Sequence, residues 1–67
     1  MSATIETSGG SVKIRAVVGG REYIALGLKS DYPTVVGLLL IQMLRDGTSP
    51  DDICKVLREV LNTYRPQ

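Results

Sequence analysis

Few residues in this chain could do chemistry, and their types limit what that chemistry could be. The 67 residues include no histidine and one cysteine, Cys54. Histidine is the commonest general acid–base group, so the side chain most used for proton transfer is missing. Cys54 lies beside what reads as a helical apolar stripe, between Ile53 and Leu57, where a thiol is expected as a small buried hydrophobe rather than a nucleophile. Asp51 and Asp52 are adjacent carboxylates, but successive helical residues point about 100° apart. They suit a helix start better than a catalytic pair. A structural zinc site wants about four nitrogen or sulfur ligands, which one Cys and no His cannot supply. The glycine-rich stretches "GGS" (9–11) and "VVGGR" (17–21) lack phosphate-loop and dinucleotide spacing and read as turns. The expectation is a protein with no catalytic residues, no metal and no cofactor.

One further constellation could bind rather than react. Lys13, Arg15, Arg21 and Lys29 gather around Tyr23 in the first half of the chain. Basic residues with an aromatic on a two-stranded ribbon suit phosphates, and such a ribbon can enter a major groove. The overall charge argues against a strong effect. Eight Lys and Arg face seven Asp and Glu, for a formal net charge of +1. A solvated sheet face guarded by Lys and Arg explains the same residues.

The elements that would position these residues follow from periodicity. "VKIRAVV GG REYIALGLK" reads as a β-hairpin with alternating apolar residues. A two-residue Gly19-Gly20 loop would set Ile14 on the same face as Ala25. A three-residue Val18-Gly19-Gly20 loop, with Gly20 left-handed at a bulge, would set Ile14 opposite Ile24 and Val12 opposite Leu26. The second arrangement gathers Val12, Ile14, Ile24, Leu26 and Leu28 on one face, and it is the expected one. The other face would then carry Lys13, Arg15, Arg21, Tyr23 and Lys29. Residues 1–8 either stay flexible or add a third strand. Pro33 opens a first helix, expected over Pro33 to Asp46 and stopped by Gly47 in a left-handed conformation. "SPDD" opens a second, expected over Pro50 to Tyr64, with Ser49 as N-cap, Pro50 at the first helical position and two acids in the first turn. Its apolar stripe is Ile53, Val56, Leu57, Val60, Leu61 and Tyr64.

The first helix is different. In "TVVGLLLIQML" (34–44) apolar residues cover about two-thirds of the circumference, and a helix apolar nearly all round is buried nearly all round. A hairpin and one partner helix cannot cover it. Domains this small also tend to need a staple such as disulfides, a metal or oligomerisation. Only the last is open to this chain. A second copy is therefore expected on Val36, Gly37, Leu39, Leu40, Met43 and Leu44. The apolar run is shorter than the ~18 residues of a membrane span, and a lone cysteine suits a reducing cytoplasm.

These readings combine into one α+β domain spanning residues 1–67. It has a β-hairpin, or a three-stranded antiparallel sheet, followed by two antiparallel helices in ββαα order, and it is homo-oligomeric. The expected function is non-catalytic: a cytoplasmic binding or regulatory protein that associates with itself and with another protein. The alternatives are a nucleic-acid-binding module on the basic hairpin face and a small-ligand binder at a subunit interface.

Overall fold

The computed structural model describes residues 1–65. Three strands, β1 (Ser2–Ser8), β2 (Ser11–Val18) and β3 (Arg21–Leu28), form an antiparallel sheet in the order β1-β2-β3. A 3-10 turn over Lys29–Asp31 leads into α1 (Tyr32–Arg45), and α2 (Pro50–Thr63) follows. The N-terminal residues are thus a full strand, with Ala3 opposite Ala16 and Ile5 opposite Ile14.

The β2–β3 loop decides the sheet, and it is the two-residue one. Val18 pairs with Arg21, and Gly19 and Gly20 both have positive φ, 56° and 80°. This is the requirement of a type I′ turn, whose twist matches that of the strands it joins. Ile14 therefore pairs with Ala25, Val12 with Gly27 and Ala16 with Tyr23. The three-residue loop expected from the apolar alternation is corrected, and the face assignment of β3 inverts with it. Val12, Ile14, Ala16, Val18, Tyr23 and Ala25 are buried beneath the helices, while Ile24, Leu26 and Leu28 face outward.

Both helices cover the same side of the sheet. α1 runs antiparallel to β3: Val35 lies against Gly27, Gln42 reaches Ile24 and Asp46 pairs with Arg21. α2 lies beside β1, where Glu59 accepts the Ala3 N–H. The helices are mutually antiparallel, since Tyr32 at the start of α1 meets Tyr64 at the end of α2 with ring centroids 4.9 Å apart, edge to face. The core is Val12, Ile14, Val35, Leu39, Met43, Val56 and Val60, all essentially inaccessible. Leu57 of α2 and Tyr64, just past its end, pack at the margin of the core, whereas Leu61, expected on the stripe, is exposed.

The helix ends follow their local signals. Gly47 has φ 72°; its N–H reaches the Leu44 carbonyl, and Thr48 N–H reaches that of Met43. These are the two bonds of a Schellman stop. Ser49 Oγ accepts the Asp52 N–H at 3.2 Å, a side-chain N-cap.

Gly27 is where α1 comes closest to the sheet. A Cβ there would stand 2.6 Å from Val35 Cγ2, and β-branched Val35 has little freedom to turn aside. Gly27→Ala is expected to destabilise the fold by about 1–3 kcal/mol, the usual cost of overpacking. Denaturant unfolding should show a smaller loss when the same change is made on a Val35→Ala background.

Candidate functional site

The register separates the residues of the basic constellation. Lys13 and Arg15 project from the open face of the sheet. Tyr23 lies on the helix side and is 5 % exposed, with its hydroxyl 3.4 Å from Thr48 Oγ1. Arg21 shares Tyr23's side of the strand and pairs with Asp46 at 3.3 Å. Lys29 lies beyond the end of β3 in the 3-10 turn. On the open face the charges are offset. Arg15 forms an ion pair and hydrogen bond with Glu22, and Lys13 stands directly opposite Glu6. No aromatic shares that face with Lys13 and Arg15, so the basic side chains lack the stacking platform that would accompany them on a nucleic-acid surface.

The chemistry-bearing residues are also dispersed. Cys54 is exposed rather than buried, which corrects the sequence expectation. Ile53 takes the inward position, and one residue further around the helix points to solvent. Asp51 and Asp52 occupy the first turn of α2. Among the described residues no cluster of His, Cys, Asp or Glu could hold a metal ion. A shallow groove lies between Met1 and the α2 residues Lys55, Arg58 and Glu59, and Glu59 is already committed to Ala3 N–H.

What the fold does assemble is an apolar flank. Ile24, Leu26 and Leu28 on β3 and Leu38, Ile41 and Leu44 on α1 are each between 41 % and 63 % exposed. β3 is an edge strand. The bond from Gln42 Nε2 to the Ile24 carbonyl, at 2.8 Å, shows that this residue's backbone points off the edge. Backbone direction alternates along an antiparallel ladder, so Glu22, Leu26 and Leu28 point off it too. The helix row and the strand row thus lie on either side of one edge, with Gln42 at their junction. The apolar surface runs from the outside of α1 around the side of the molecule onto the sheet's open face.

Of the residues expected at an oligomer contact, Leu39 and Met43 are fully buried in the chain's own core and cannot meet a partner. Val36, Gly37 and Leu40 are half-buried, and Leu44 is exposed. Leu38 and Ile41 were missed. The all-round apolarity of α1 shows that surplus surface exists, but not which third of the helix its own sheet takes.

Gly37 is the informative position. It stands one turn before Ile41 and two before Leu44, at i, i+4 and i+7, and a Cβ built on it would meet nothing within 4 Å. Glycine inside a helix costs about 1 kcal/mol relative to alanine, and no packing among the described residues requires it here.

No protein-family model, curated protein or solved structure matches this chain.

At the far end of the helices, Tyr32 is 3 % exposed and its hydroxyl finds no hydrogen-bond partner among the described residues. Burial raises its pKa above the ordinary tyrosine value of 10.0, and the neighbouring Tyr64 adds to the shift. A phenol with a raised folded pKa contributes stability that is present below its unfolded pKa and lost as pH rises towards the folded one. Unfolding followed from pH 8 to 12 should therefore show stability falling above about pH 10. Tyr32→Phe should remove that part of the fall, and at neutral pH it should leave stability unchanged or raise it, because the hydroxyl it deletes is buried without a partner.

Proposed function

We propose that this protein is a non-catalytic binding protein that associates with itself and regulates by occupying protein surfaces. The observation that carries this reading is the apolar flank on α1 and β3. Exposed patches of this kind, rimmed by polar residues, mark interaction surfaces. Here the rim includes Glu22, Arg45 and Asp46 at one end and Lys29 and Asp31 at the other.

The magnitudes favour a second copy as the first occupant. The six side chains together leave about as much surface as three whole Leu or Ile side chains. At roughly 1.5–3 kcal/mol per side chain, covering them is worth about 5–9 kcal/mol per copy. A two-fold contact uses the same patch on both partners and doubles this, against about 4–15 kcal/mol for lost freedom on association. The α1 row alone supplies about half, so it falls at the low end of that range, and the β3 row strengthens the case. Two-fold pairing through one or both rows gives a dimer or a higher even oligomer. No helix among the described residues is long and apolar enough to cross a membrane, and an exposed, unpaired Cys54 suits a reducing cytoplasm.

Native mass spectrometry across a concentration series should give an even-numbered oligomer. Leu44→Glu should shift the population towards monomer at equal concentration with an unchanged far-ultraviolet dichroism spectrum, since the residue is exposed in the single chain. A wild-type protein that stays monomeric at every concentration contradicts the reading.

A further inference from the structure

We infer that the self-contact is a helix–helix crossing in which α1 packs against α1 of a second copy, with the two backbones closest at Gly37. This rests on the self-association proposed above and specifies where it occurs. Three observations converge on the position. Gly37 lies on the outward arc of α1, opposite the buried Val35, Leu39 and Met43. Ile41 and Leu44 continue the same arc, and both are largely exposed. Among the described residues a methyl group at position 37 would meet open space, so no packing contact between them calls for glycine there. No turn requires it either, because positive φ among the glycines is confined to Gly9, Gly19, Gly20 and Gly47.

A glycine in such a place permits the close approach of another backbone. The distance between two packed helices depends on the side chains at their contact. With no side chain at 37, a second helix can approach until its own apolar residues fill the notch between Ile41 and the preceding turn. Ile41 and Leu44 then lose their water to the partner's arc, and by symmetry the partner's do the same. The occupant is a second copy because the arc is self-complementary, offering both the notch and the side chains that fill it.

The sign of one substitution tests this. Alanine is the better helix former and meets no obstacle in the isolated chain, so Gly37→Ala must stabilise a lone subunit. At a close crossing the same methyl stands between two backbones. Sedimentation equilibrium of the full chain should show Gly37→Ala weakening association at least tenfold and Gly37→Leu weakening it further, both with native helix content. Variants that associate as tightly as wild type, or more tightly, would overturn the assignment of the seam and leave self-association through other residues intact. A wild-type chain that never associates would instead remove the reading on which the assignment rests.

Discussion

The structure depends on the handedness of a two-residue turn. Gly19 and Gly20 both take positive φ, which ordinary residues avoid because their Cβ clashes with the backbone. That turn pairs Val18 with Arg21, and every later residue of β3 follows in alternation. Tyr23, Ala25 and Gly27 are thereby turned towards the helices. Their sizes grade the space: Tyr23 fills the end near Thr48, and Gly27 leaves room for Val35. The same alternation places Ile24, Leu26 and Leu28 outside. One local conformational requirement therefore shapes the core and exposes three large apolar side chains.

The edges of the sheet are treated unequally. Each helix extends one side chain to the strand beside it: Glu59 of α2 accepts a backbone N–H of β1, and Gln42 of α1 donates to a backbone carbonyl of β3. Edge strands left bare are templates for unwanted pairing, and these two contacts blunt both. β1 is polar on its open side, with Ser2, Thr4 and Glu6, whereas β3 is apolar. The molecule therefore has one polar flank and one apolar flank.

The sequence reveals much of this wherever the determining signal is local. The boundaries of α2, its Ser49 cap, the Gly47 stop and the excess apolarity of α1 all follow from residues a few positions apart. The strand register did not, because two rules compete in β3. Collecting the largest hydrophobes inside favours a longer loop, while turn geometry favours the two-residue loop. The turn prevails, and the hydrophobic rule fails where the protein has surface to spare. The same limit applies to the α1 residues expected at a contact. Leu44 is exposed, Val36 and Leu40 pack at the margin of the core, and Leu39 and Met43 are fully buried, yet in the sequence all five look alike until the sheet beneath is in place. Tyr23, grouped by sequence with basic residues, belongs to the core for the same reason.

In the proposed assembly the outward arc of α1 is covered by another α1. The most direct measurement is an isotope-filtered nuclear Overhauser experiment on a mixture of labelled and unlabelled chains, which detects only contacts between copies. Cross-peaks are expected from the methyl groups of Ile41 and Leu44 to the α-protons of Gly37 in the other copy. Intermolecular cross-peaks that avoid α1 altogether, or none at concentrations where the protein is associated, would contradict it.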